Sequence, residues 1–141
     1  MVVSSRGEEK DGSTRFCFDY RKLNAVTRKD AYPLPNMADT FVKLDGATYF
    51  SSLDLKAGYW QISIHPDDMG KTAFVVPGYG LHRFKVFSFG LCNAPATSQR
   101  LMETVLPLDE CLVCLDDMIV PGRTFNDAFD GLRHVFLNYT V

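Results

Sequence analysis

No stretch of this sequence is apolar for long enough to span a bilayer. Residues 1–14, MVVSSRGEEKDGST, lack both the apolar run and the small-residue cleavage site of a secretory signal. Together these absences direct the expectation to an intracellular protein, cytoplasmic or nuclear, with no membrane partner. No disulfide framework is indicated: the four cysteines, Cys17, Cys92, Cys111 and Cys114, read as reduced thiols. Cys111-x-x-Cys114 has the spacing of half a zinc site or a redox pair, but no second Cys or His pair follows at zinc spacing. The flanking residues read as strand, where positions three apart point to opposite faces. A strong charge of one sign is also missing: at −2 the net balance names no polyanionic partner. No repeat, low-complexity tract or linker divides the 141 residues, a length that suits one domain.

What is present is enough for a packed core. The composition is 46% hydrophobic with eleven Phe and six Tyr, which excludes wholesale disorder. Charge is uneven along the chain. Residues 81–101 carry Arg83, Lys85 and Arg100 with no acid, whereas residues 102–141 hold seven acids against Arg123 and Arg133. A basic middle beside an acidic end suits a polyanion held near metal ions, and solvated faces explain it equally well.

The periodicity predicts a strand over residues 15–20, RFCFDY, then an extended Pro-containing segment over 31–35. A short helix follows, with Met37, Phe41 and Leu44 on its apolar face and Gly46 closing it. TYFSSLDL reads as a strand ending near Asp54, and YWQISI as a second one, with Trp60, Ile62 and Ile64 on its buried face. HPDDMG reads as a turn, and PGYG as the bend of a hairpin between TAFVV and HRFKVF. Asn93 is placed to cap a helix that has Pro95 in its first turn and stops before Pro107. A hairpin LVCL-DD-MIV comes next. Thr124 and Asp127 then open a final helix in capping-box fashion, striped by Phe125, Phe129, Leu132 and Phe136. The expected class is α+β, with helices packed on an antiparallel sheet.

Asp116 and Asp117 pose a physical problem, because ionised side chains between two apolar runs are costly to bury unless something pairs with or coordinates them. Asp-Asp is common in turns, where Asp bonds its own backbone. Asp54 ends another strand, however, and if the two strands are neighbours three carboxylates meet at one edge. Clustered like charges favour proton uptake, a penalty that a divalent cation removes. Hard oxygen ligands with few protein contacts suit Mg²⁺, which takes its remaining ligands from water and substrate phosphates.

RFCFDYRKLNAVTRKDAYPLP, YFSSLDLKAGYWQISI, KTAF, FGLCNAPATSQRLM and CLVCLDDMIV, in that order and spacing, resemble consecutive blocks of the reverse transcriptase of gypsy-type LTR retrotransposons. The resemblance covers nearly everything from Lys10 to Phe136. It implies the fingers and palm of a right-hand polymerase, part of a Pol polyprotein, that copies RNA or DNA by adding deoxynucleotides to a primer 3′-hydroxyl. Residues 1–141 would form one truncated domain without a thumb, about 10–50 on the fingers side and about 51–141 mainly palm. Asp54, Asp116 and Asp117 match the catalytic aspartates that hold two Mg²⁺ ions, with Mn²⁺ a possible substitute. Tyr59 matches the steric gate against a ribose 2′-hydroxyl, Lys10 and Arg15 the contacts to the incoming triphosphate, and Phe89 and Gly90 the loop beside the nucleotide sugar. Arg21 and Asn24 match template-side positions. Cys114 stands where the family has a Tyr against the primer terminus. The implied partners are an RNA or DNA template with its primer and deoxynucleoside triphosphates.

Departures from the family pattern point to an alternative, a catalytically inactive fragment or decayed copy with at most weak nucleic-acid binding. Cys114 replaces that Tyr, Ser88 replaces a Pro before FGL, Ser98 replaces a Phe, and Pro121-Gly122 interrupts the strand after the aspartates. The chain also stops in the tail of a helix, which reads as truncation.

Overall fold

The computed structural model describes residues 3–8 and 14–139, with side chains from Phe18 onward except at 37–39. In chain order the elements are β1 (Val3–Glu8), β2 (Thr14–Phe18), α1 (Arg21–Val26), α2 (Met37–Leu44) and β3 (Tyr49–Asp54), then α3 (Pro66–Met69), β4 (Phe74–Val76) and β5 (Gly80–His82). They continue with α4 (Ala94–Val105), β6 (Leu112–Cys114), β7 (Asp117–Gly122) and α5 (Phe125–Tyr139), and 3-10 turns occupy Gly58–Gln61 and Gly70–Thr72. The architecture is the expected α+β, with helices accompanying antiparallel sheets. The chain packs into two units. The first comprises the described residues up to Asp30 together with Tyr59–Ala94, and the second comprises Ala31–Gly58 and Pro95 onward.

In the first unit β1 pairs antiparallel with β2, and β4 with β5. The β4–β5 bend uses Gly78 and Gly80 at φ +83° and +87°, left-handed values that glycine adopts without a Cβ penalty. Aromatic rings form the local core. Phe18 lies 4.5 Å from Phe74 and 4.9 Å, edge-on, from Phe84. Tyr20 is buried, and its hydroxyl accepts a 2.6 Å hydrogen bond from the equally buried Ser88. The serine at 88 is therefore a satisfied buried polar group.

Three expectations in this unit are corrected. YWQISI is not a regular strand: Gly58–Gln61 is a 3-10 turn and Trp60 is exposed. Only its tail pairs, with Ile64 N–H donating to the Lys85 carbonyl and Phe87 N–H to the Ile62 carbonyl. The turn redirects the chain after Ala57, which itself sits at φ +56°, and this breaks the alternation. HPDDMG folds as the helix α3, with His65 capping Asp67 N–H, Pro66 in the first turn, and Asp67 and Asp68 at the favourable end of its dipole. Asn93 precedes α4, but its side chain is occupied elsewhere. Its Oδ1 accepts from Asp30 N–H and its Nδ2 donates to the Arg28 carbonyl.

The second unit is built on a three-stranded antiparallel sheet in the order β3-β7-β6. Leu53, Met118 and Val113 share one rung. Met118 and Val113 join Met102, Leu106, Cys111, Val120 and Val135 in the buried core, which Leu53 also lines. Thr124 and Asp127 form the anticipated capping box, each side chain accepting from the other's backbone N–H. Pro121 is tolerated because β6 pairs β7 only as far as Ile119, leaving β3 as the partner beyond that point.

The α5 stripe holds only in part: Leu132 packs against the core as expected, but its three phenylalanines do not. Phe125, Phe129 and Phe136 are exposed, while Ala128, Gly131 and Val135 face inward. Small residues are needed there because helix and strand nearly touch. A Cβ on Gly122 would fall 2.4 Å from the Ala128 backbone nitrogen, and one on Gly131 would fall 3.0 Å from Val120. Phe41 on α2 is likewise exposed. Ser98, which stands where the family pattern has Phe, is buried.

Candidate active site

In the second unit, β3 runs into Asp54 and β7 begins at Asp117, and the antiparallel register sets these two residues opposite one another. Cys114 faces Asp117 on the other side, so Asp54, Asp117 and Cys114 occupy one rung. Side chains of directly opposed residues share a sheet face, and this rung lies one residue along from Leu53, Met118 and Val113. Its side chains therefore leave the core on the opposite face. Asp54, Asp117 and Cys114 are all exposed there. A cavity of about 220 Å³ opens beside Asp117 and Cys114, with Ile119, Lys43 and Thr40 in its wall.

Asp116 occupies the turn between β6 and β7. Its carbonyl accepts from Leu55 N–H at 2.9 Å, tying the turn to the end of β3. Its carboxylate is the electrostatic anomaly of the site: among the described residues Oδ1 is the one buried side-chain N or O with no hydrogen-bond partner. Gly58 leaves room for that oxygen, since a Cβ there would approach it to 2.5 Å. Burial holds the Asp116 pKa above the usual carboxylate range, and the charges of Asp54 and Asp117 push it the same way. Among the described residues, no three His, Cys, Asp or Glu side chains are gathered closely enough to hold an ion as they stand. The donor set nonetheless fits a hard divalent cation. An orphaned carboxylate oxygen beside two further carboxylates is a hard-oxygen set suited to Mg²⁺ or Mn²⁺, with Cys114 the one soft group on the same rung.

The other sequence-derived candidates lie in the first unit. The Tyr59 ring stands edge-on to Phe89 at 5.2 Å, and Trp60 packs on the same Phe89 at 6.2 Å. Gly90 has φ +96°, and a Cβ there would meet the Tyr20 ring at 3.4 Å. Asn24 braces this loop, its Nδ2 donating to the Gly90 carbonyl and its Oδ1 accepting from Cys92 N–H. Arg21 is highly exposed and forms a forked pair with Asp19, which holds the Asp19 pKa down to about 2. Arg15 lies within β2 opposite Gly7, and its side chain is outside the described residues, as is Lys10 altogether.

Two residues of the site were not singled out from the sequence. Gly58 sits inside the quoted LD-x-x-x-GY block, but nothing local marks it as the neighbour of Asp116. Gln99 is fully buried and bonds the turn that carries Asp116. Its signal was a long amide within an alanine-rich helix start, and that signal is too weak to act on without coordinates.

The chain belongs to the reverse transcriptase (RNA-dependent DNA polymerase) family, whose profile matches residues 8–137. Among individual proteins, it is 44% identical over 126 residues to an RNA-directed DNA polymerase homolog of Oenothera berteroana, covering 87% of this chain and 88% of that one. It is 41% identical over 125 residues to the retrovirus-related Pol polyprotein from transposon 297 of Drosophila melanogaster, covering 86% of this chain and 12% of the polyprotein. The fold matches a foamy viral protease-reverse transcriptase solved in complex with double-stranded DNA, with a TM-score of 0.84 and 24% identity over 96% of this chain and 24% of that one. The chain thus spans most of the Oenothera homolog and a small part of the transposon and viral proteins. Among its described residues no helix is long and apolar enough to cross a membrane.

Proposed function

We propose that this chain is the fingers and palm portion of an RNA-directed DNA polymerase of the gypsy-type LTR retrotransposon kind, working inside the cell on a primed RNA or DNA template. The observation that carries the reading is the buried, unpartnered Oδ1 of Asp116 beside the Asp54–Asp117 rung. A protein gains nothing from an uncompensated carboxylate at a rigid hairpin unless a cation completes it.

Asp116 and Asp54 would hold two Mg²⁺ ions, with Asp117 the weaker ligand. Bound there, the ions supply activation of the primer 3′-hydroxyl and charge stabilisation of the departing pyrophosphate. The chain's own residues do the rest. Arg15 and Lys10 present donors to the triphosphate, for which a guanidinium fork is well matched. Tyr59, fixed by Phe89, offers a ring face that crowds a 2′-hydroxyl and so favours deoxynucleotides. The Phe89–Gly90 loop, braced by Asn24, lies beside the sugar. Arg21 faces the template strand, and Cys114 faces the primer terminus.

Primer extension on a poly-rA template with oligo-dT, dTTP and Mg²⁺ tests this. The intact chain should incorporate nucleotide and Asp116→Ala should fall to background. Absence of extension by both, with the fold intact, would favour the alternative of a non-catalytic fragment that binds nucleic acid weakly.

A further inference from the structure

Gln99 lies on α4 and is fully buried, with its amide saturated. Oε1 accepts from Leu115 N–H at 2.8 Å, while Nε2 donates to the Val113 carbonyl at 3.1 Å and to Glu103 Oε1 at 2.7 Å. The second Glu103 oxygen accepts from the Tyr32 hydroxyl, and the Arg100 guanidinium lies 4.9 Å above the Tyr32 ring. A four-residue relay therefore ends on the turn before Asp116.

The geometry at that end is specific. Among the described residues β6 is an edge strand, and its outer backbone groups have no strand to pair with. The Gln99 amide bonds a carbonyl and, two residues on, an N–H, as a residue of a neighbouring strand would. Leu115, the acceptor's partner, has φ +59°, a left-handed conformation unfavourable for a side chain with a Cβ. It is held where the turn needs it by the hydrogen bond to Gln99, and the next residue is Asp116. An apolar side chain of similar volume would fill the same space without fixing that backbone.

We infer that Gln99 is a positioning residue: its amide locks Leu115 in the left-handed turn and thereby holds the Asp116 carboxylate in its slot against Gly58 for a divalent cation. This rests on the reading that Asp116 is a metal ligand. Outer residues that orient a ligand typically contribute tenfold or more to metal affinity.

The test is Mn²⁺ binding by the intact chain, read from the free-ion electron paramagnetic resonance signal, with amide hydrogen exchange at Leu115 read in parallel. Wild type should bind and Asp116→Ala should not. Gln99→Leu should bind about tenfold more weakly and exchange Leu115 N–H faster, with other core amides unchanged. Gln99→Glu alone, which sets two carboxylates side by side, should also be impaired. Gln99→Glu combined with Glu103→Gln keeps the acceptor for Leu115 N–H and restores a 99–103 hydrogen bond, with only the donor to the Val113 carbonyl lost, and should recover affinity relative to Gln99→Glu alone, a rescue that mere core packing would not produce. Wild-type affinity in Gln99→Leu, with Asp116→Ala inactive in binding, overturns the inference and leaves the metal reading standing. Failure of wild type to bind overturns both. Should Gln99→Leu not fold, the double variant decides: recovery supports the role, and a folded double variant without affinity overturns it.

Discussion

Asp116 is shaped by two neighbours that differ in kind. Gln99 acts through the backbone, and Gly58 acts by having no side chain. Because Gly58 does not sit at a positive φ, Gly58→Ala carries no strain of that origin, and its effect falls on the carboxylate 2.5 Å from the new methyl group. The expected outcome is loss of Mn²⁺ affinity and of primer extension by about tenfold or more, with a thermal midpoint close to wild type. Unchanged affinity would mean that the carboxylate can leave its slot without consequence.

At the scale of elements, the β6–β7 hairpin and α5 show opposite relations between pattern and packing. The hairpin is apolar on both sides of its turn, and the structure uses that apolarity to fix the strands while the turn carries the charge. In α5 three phenylalanines face outward, and the inward face sets the small Ala128 and Gly131 beside Leu132 and Val135. The close approach of β7 to α5 is what demands Gly122. Gly122→Ala places a methyl against backbone atoms of Ala128, which cannot swing aside. It should cost about 1–3 kcal/mol, the usual range for overpacking, read as a lower urea midpoint at constant slope. The Pro-Gly pair, read in the sequence as a departure from the family strand, is thus compatible with a sound sheet: the proline stands beyond the second ladder and the glycine meets the helix.

At the scale of the molecule, the chain passes between its two units after Asp30, Gly58 and Ala94. β7 therefore returns to pair with β3, which lies far earlier in the chain. The outer face of α5, with Phe125 stacked on Phe129 at 6.1 Å and Phe136 exposed further along, leaves a large apolar surface for a single chain. Phe129→Asp with Phe136→Asp should leave the circular dichroism spectrum and melting midpoint nearly unchanged. It should also reduce concentration-dependent light scattering relative to wild type. A large drop in stability would show instead that these rings pack in solution.

The sequence alone determined the family, through five blocks in order, and several local features. Asp54 at a strand end, the Asp-Asp turn, the β4–β5 bend and the Thr124–Asp127 capping box each depend on residues close together in the chain, whose propensities and spacing carry the whole signal. Only the tertiary structure decided which strand lies beside which, so that Asp54 meets Asp117. It also decided that Gln99 bonds the turn, that Gly58 makes room for Asp116, and that α5 leaves Phe125, Phe129 and Phe136 outside while Ala128, Gly131 and Val135 are buried. Those outcomes depend on how closely elements approach across long separations, a distance that no local periodicity encodes.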